Sequence, residues 1–162
     1  MQAKKSYSFE YTVYTSLNQL SINDQKLLYA AVEVSKDAYA PYSNFYVGAS
    51  VELENGVTVL GSNQENGAYP SGLCAERVAL FAASSNFPNV SMKTLAIYAE
   101  QSETEDNQIS PCGSCRQVMS EYEQKQNQKL RVLLMSGKGE VWELKSAQFF
   151  LPFAFKLKPS KK

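Results

Sequence analysis

The stretch between Phe45 and Leu60 restricts the fold of this chain more than any other. Two runs rich in β-branched and apolar residues, Phe45–Leu53 and Val57–Leu60, flank Asn55-Gly56, a pair favoured where a two-residue hairpin turn needs positive φ. Segments of a different period bracket this hairpin. Upstream, Ser21 reads as an N-cap with Asp24 in the first turn, opening INDQKLLYAAVEVSKDAY, where Ile22, Leu27, Leu28, Ala31, Val32 and Val34 follow a helical stripe that Pro41 ends. Downstream, CAERVALFAA is rich in strong helix formers, KTLAIYA reads as a buried strand, and Ser110 with Pro111 starts a helix through CGSCRQVMSEYEQ. LRVLLM and VWELK follow as strands around the turn SGKGE, and then comes the apolar FFLPFAF. The order helix, hairpin, helix, strand, helix, strands predicts an α/β fold, a mixed sheet of about five strands with helices on both faces. Ahead of it, Tyr7, Phe9, Tyr11 and Val13 alternate, which predicts an extra N-terminal edge strand over Tyr7–Thr15. The acidic EQSETEDNQ, without a large apolar side chain, predicts a solvated loop.

At 162 residues, 44% hydrophobic and 20% charged, the chain suits a single domain with a core of ordinary size. Sixteen basic residues cancel 16 acidic ones, and a pI near 6.3 leaves no long-range field to hold nucleic acid or an anionic membrane. No apolar run approaches the roughly 20 residues of a membrane span, and the start MQAKKSYSFEYTVY has no apolar secretory core. The expected location is the cytoplasm, where thiols stay reduced.

That matters because the chain has three cysteines and no histidine. Cys112 and Cys115, one helical turn apart near a predicted helix start, share a face and can reach a single ion. Cys74 also falls at a predicted helix start, where exposed N–H groups and the dipole favour thiolate over thiol. One chain cannot assemble a closed four-ligand Cys/His zinc site from these residues. A vacant fourth position is what a catalytic zinc needs to hold water. Two other readings compete: CGSC as a thioredoxin-like redox pair, and Cys74 as a small core residue. Glu76, just after Cys74 in CAER, favours zinc, since a carboxylate beside an open zinc position can move protons without ligating.

These residues carry a resemblance. CAER with PCGSC downstream is the C-x-E and P-C-x-x-C signature of the zinc deaminases. YAPYSNFYVGASV, SNQENGAYPSGLCAERVALF and SPCGSCRQVMSE resemble cytidine deaminase of the three-cysteine type, and FFLPFAF is similar to its C-terminal Leu-Pro segment. The resemblance implies a three-layer sandwich of the cytidine deaminase kind, with an N-terminal extension over 1–20, a catalytic domain over 21–157 and a basic tail over 158–162. It implies that Cys74, Cys112 and Cys115 hold Zn²⁺ and that Glu76 ferries the proton in hydrolytic deamination of cytidine, and of deoxycytidine, to uridine and ammonia in pyrimidine salvage. Asn63 and Glu65 would bind the ribose, Phe45 would pack on the sugar or base, and the backbone of Ala75 would meet the base carbonyl. Arg77 would donate to the ligating sulfurs. Tyr69 and Phe155 would complete a neighbouring subunit's site, making the protein a homo-oligomer, most simply a homotetramer. A deaminase of blasticidin S would share the zinc and Glu76 but fit a different sugar; Asn63, Glu65 and Phe45 favour plain cytidine. A phosphate is not expected in the substrate, because Glu65 would repel it and no basic or glycine-rich cradle lies nearby.

Overall fold

The hairpin forms, and two of its glycines set how closely the helices approach it. Strands β2 (Val47–Leu53) and β3 (Thr58–Ser62) pair antiparallel, with Ala49 opposite Gly61 and Gly48 opposite Ser62. A Cβ on Gly48 would fall 1.9 Å from the Ala31 carbonyl of helix α1 (Ile22–Ser35), and one on Gly61 would fall 2.5 Å from the Ala79 nitrogen of helix α2 (Ala75–Asn86). Neither distance can be met by a side chain, so these glycines admit one helix on each face. The turn differs from the expected two-residue form. Gly56 N–H donates to the Leu53 carbonyl at 3.0 Å, and Gly56 alone takes positive φ, at 82°, whereas Asn55 does not. The reversal is thus a four-residue turn closed by a left-handed glycine.

The computed structural model describes residues 3–100 and 108–157. Within them the sheet has six strands, ordered β1 (Thr12–Tyr14), β6 (Val141–Leu144), β5 (Arg131–Ser136), β4 (Met92–Ala99), β2, β3. Only β4 and β5 run parallel, joined across one face by helix α3 (Gly113–Gln126). Helix α1 covers one face through Leu27 and Leu28, with Leu20 just ahead of it, packed on Ala96, Leu133 and Met135. Helices α2 and α3 cover the other through Ala79, Leu80, Ala83 and Met119 on Val51, Leu95, Val132 and Leu134. This is the mixed sheet with helices on both faces that the sequence predicts, with the N-terminal strand as its sixth member. Among the described residues no helix is long and apolar enough to cross a membrane.

Three boundaries move. The N-terminal ladder spans only Thr12–Tyr14, paired with β6; Tyr7, Phe9 and Tyr11 lie alongside without joining it. Helix α1 stops at Ser35, well before Pro41, and the Ala38 N–H turns back to the Ser35 carbonyl at 3.1 Å. Helix α3 begins after Cys112, not at Ser110, whose hydroxyl accepts from Arg116 at 2.8 Å instead of capping the helix. Most of the predicted acidic loop, 101–107, and the basic tail 158–162 lie outside the described residues.

Candidate active site and metal centre

Two helix N-termini meet at the sulfurs. Cys74 is the N-cap of α2 and Cys112 the N-cap of α3, both with extended backbone, and Cys115 lies in the first turn of α3. Cys74 Sγ is 3.8 Å from Cys112 Sγ, which is 3.5 Å from Cys115 Sγ, and all three lie within 4.8 Å of one another. Thiolates bound tetrahedrally at about 2.3 Å from zinc stand roughly 3.8 Å apart, so the spacing fits that ion. A disulfide needs about 2.05 Å between sulfurs, and none is formed. Three convergent sulfurs, not two, also argue against a redox pair. Among the described residues this is the one cluster of ligand-type side chains able to hold a metal ion.

The electrostatics agree with thiolate chemistry. Cys74 is held down to about 5, first by a hydrogen bond from Cys115, then by Arg77 and Cys112, against the opposing effect of burial. Cys115 is pushed up as the donor in that bond and by its own burial. The direction that stands is a thiolate at Cys74. Arg77 Nη2 lies 3.8 Å from Cys74 Sγ and 3.4 Å from the Gly72 carbonyl, while its Nε is buried with no hydrogen-bond partner. A half-buried guanidinium whose buried Nε–H is unpaired calls for negative charge nearby, which thiolates supply.

Glu76 occupies the first turn of α2 at 5% exposure. Burial pushes its carboxyl up to about 7, and the Cys74 charge adds to the effect. It lines a cavity of about 890 Å³ together with Cys74, Cys112, Arg77, Phe45, Asn63, Glu65 and Tyr69. The sequence thus names much of the lining. Among the rest of the lining are Ile97 and Ala99 at the end of β4 and Gln108 and Ile109 before the second cysteine segment, which only the fold reveals. Ala75, fully buried, lies just beneath; as the first helical residue, its N–H has no partner within the helix.

Asn63 and Glu65 both face the cavity, and both also hold the loop that carries Phe45. Asn63 Oδ1 accepts from the Val47 N–H at 2.8 Å, and its Nδ2 donates to the Phe45 carbonyl at 2.9 Å. Glu65 accepts from the Tyr42 N–H at 2.9 Å, the Ser43 N–H at 3.3 Å and the Ser43 hydroxyl, which together hold its carboxyl below the usual range. Between them Gln64 exchanges both backbone hydrogen bonds with Leu73 at 2.8 Å, so the stretch is extended and positions 63 and 65 share a side as expected. At the mouth Tyr69, 75% exposed, meets Tyr42 edge to face with ring centroids 6.0 Å apart. Phe155 is 66% exposed and stays outside its own chain's cavity.

Comparison with known proteins agrees with this geometry. Residues 21–128 match the family described as cytidine and deoxycytidylate deaminase zinc-binding region. The chain is 40% identical over 131 residues to a cytidine deaminase of Sporosarcina psychrophila, covering 81% of this chain and 90% of that one. Its fold matches the 1.6 Å crystal structure of cytidine deaminase from Burkholderia pseudomallei with a TM-score of 0.72 and 38% identity, over 84% of this chain and 100% of the other. Cytidine deaminase from Mycobacterium tuberculosis superposes with a TM-score of 0.64 and 29% identity, over 85% of this chain and 100% of its own. The chain therefore belongs to the cytidine and deoxycytidylate deaminase family, and within it stands with the cytidine deaminases as a hydrolase.

Proposed function

We propose that the protein carries out zinc-dependent hydrolytic deamination of cytidine, and of deoxycytidine, to uridine and ammonia, serving pyrimidine salvage in the cytoplasm. The observation that carries this reading is the convergence of three sulfurs beside a buried carboxyl at a cavity large enough to admit a nucleoside. Cys74, Cys112 and Cys115 hold the metal. Bound there, zinc supplies the Lewis acidity that lets a water give up its proton near neutral pH.

Glu76 is the group that moves protons. Its carboxylate takes a proton from water, passes it to ring N3 of the base, and later delivers one to the departing amino group. A buried carboxyl poised near neutrality suits both directions of transfer. The Ala75 N–H is free to meet the base carbonyl, Phe45 packs on the sugar or base, and Asn63 and Glu65 use their remaining hydrogen-bonding capacity on the ribose. Arg77 donates to the sulfur of Cys74 and offsets part of the negative charge of three thiolates. Among the described residues the same guanidinium is the one basic side chain lining the cavity, and it is turned toward sulfur, which does not favour a phosphate on the substrate. The catalytic unit is residues 21–157, with 1–20 as an extension and 158–162 as a basic tail. The exposed rings of Tyr69 and Phe155 suit a homotetramer in which each completes a neighbour's site.

The reading is tested by incubating the purified protein with cytidine, deoxycytidine and cytidine 5′-monophosphate, following ultraviolet absorbance and released ammonia. Both nucleosides should be deaminated and the nucleotide poorly. No ammonia from cytidine would overturn the reading, and equal efficiency on the nucleotide would overturn the ribose assignment.

A further inference from the structure

The C-terminal 3₁₀ turn Ala147–Phe150 is gripped from two directions by groups that the proposed chemistry does not use. From inside, Glu123 of α3, 5% exposed, accepts from Ser146 Oγ at 2.5 Å, from the Ala147 N–H at 2.7 Å and from the Leu130 N–H at 3.0 Å. Two helical turns earlier on the same face, Arg116 donates to the Phe150 carbonyl at 3.2 Å and lies over the Phe150 ring at 5.7 Å. The carboxylate holds the N–H end of the short turn and the guanidinium its carbonyl end. Arg116 also donates to the Pro111 carbonyl at 2.7 Å and to Ser110 Oγ at 2.8 Å. One guanidinium therefore ties the segment entering Cys112 to the C-terminal turn.

From outside comes the N-terminal segment. Phe9 stacks on Phe149 with centroids 5.7 Å apart and planes at 18°, and the Tyr7 hydroxyl reaches the Gln148 carbonyl at 3.5 Å. Tyr11 covers Trp142 at 4.8 Å. The base of this arm is fixed by the pairing of β1 with β6 and by the Tyr14 hydroxyl, which donates to Glu143 at 2.7 Å. Tyr7, Phe9 and Tyr11 remain about half exposed, so they add little to the main core. Tyr7 and Phe9 touch the turn that Glu123 and Arg116 hold, and Tyr11 packs beside it on Trp142 of β6.

We infer that the N-terminal arm and Glu123 are positioning groups: together they fix Ser146–Phe150, and through Arg116 they fix the Cys112–Cys115 turn. Neither lines the cavity. The inference rests on the reading of the three sulfurs as a metal site, and it concerns how firmly that site is held.

The test uses the full chain loaded with zinc, carrying Phe9→Ser with Tyr11→Ser, and separately Glu123→Gln. Backbone hydrogen exchange at Gln148–Leu151 and the rate of zinc transfer to a colorimetric chelator are read beside thermal stability. Val32→Ala, in α1 on the opposite face, is the control for a general loss of stability, and Phe9→Tyr keeps the ring stack. The arm variant should exchange about tenfold faster at the turn and release zinc several-fold faster, while Phe9→Tyr stays near the parent. If Glu123→Gln fails to fold, the arm variant alone decides. Exchange and zinc release equal to the parent, or matched by Val32→Ala, would reduce the arm to a cover for the sheet edge. Should the parent take up no zinc, the metal reading fails, and the exchange rates still decide whether the arm holds the turn.

Discussion

Two kinds of helix start coexist in this fold. Helix α1 begins as a helix does when its first turn serves stability: Ser21 accepts the Asp24 N–H at 3.1 Å and donates back to Asp24 Oδ2 at 2.8 Å. Asp24 then receives Arg131 twice, at 2.6 and 2.9 Å, and Arg131 also reaches Glu143 at 2.6 Å. Helices α2 and α3 begin on Cys74 and Cys112, and neither side chain makes a capping hydrogen bond. Forgoing a Ser or Asp cap costs about 1 kcal/mol at each end. The loss falls where the free N–H groups and the positive ends of two dipoles surround three sulfurs, so stability has been given up at the place where anionic ligands are wanted.

The comparison breaks most completely at the sulfurs. Cys112→Ala or Cys115→Ala should abolish turnover of cytidine together with metal content, measured by elemental analysis on the same sample. Retained zinc with lost turnover would mean that the cysteines act otherwise than as ligands.

Next in size is the network at α1. Arg131→Met leaves Asp24 and Glu143 without their shared partner and should lower stability to urea by ~3–5 kcal/mol while zinc content is unchanged. Burial pushes both carboxyls upward, but Arg131, with Ser21 on Asp24 and Tyr14 on Glu143, outweighs it and holds both below their ordinary values. Lower in the folded than in the unfolded chain, they contribute fully above about pH 4–5, and the contribution is lost as pH falls through the folded values. Asp24→Asn should therefore flatten the acid limb of the stability profile. An unchanged limb would place the acid sensitivity elsewhere.

The smallest effect separates the two starts directly. Ser21→Ala should cost about 1 kcal/mol and leave deamination untouched, whereas Cys74→Ser in the metal-free protein should gain a similar amount by installing a cap. Urea titration of both variants without zinc checks the pair. A loss of stability in Cys74→Ser would show that the cysteine start is no weaker than the serine one.

How much of this could be read from residues alone follows the range of the contacts. The Ser21 cap, the helix beginning at Cys74 and the two strands of the hairpin are local, and they appear where the pattern places them. Cys74 could be singled out because Glu76 follows it closely in CAER and its own helix starts there. What could not be read depends on partners far along the chain. Ser110 has the right chemistry to cap α3, but Arg116 takes its hydroxyl. Glu123 looks like any helical glutamate until the fold brings Ser146 and Ala147 to it. Asn63 and Glu65 carry no mark showing that they also brace the loop before β2. The aromatic N-terminal segment alternates like a strand but lacks a ladder partner before Thr12, because its rings pack on Trp142 and Phe149 instead.

The proposed chemistry divides the labour between three sulfurs, which would bind metal, and one carboxyl, which would not. Zinc content and cytidine turnover of Glu76→Gln, measured beside Cys74→Ala, test it most directly. Glu76→Gln should hold one zinc per chain with turnover reduced ~10²- to 10⁴-fold, and Cys74→Ala should hold none. A zinc-free Glu76→Gln, or a Cys74→Ala that keeps its zinc, would contradict the account.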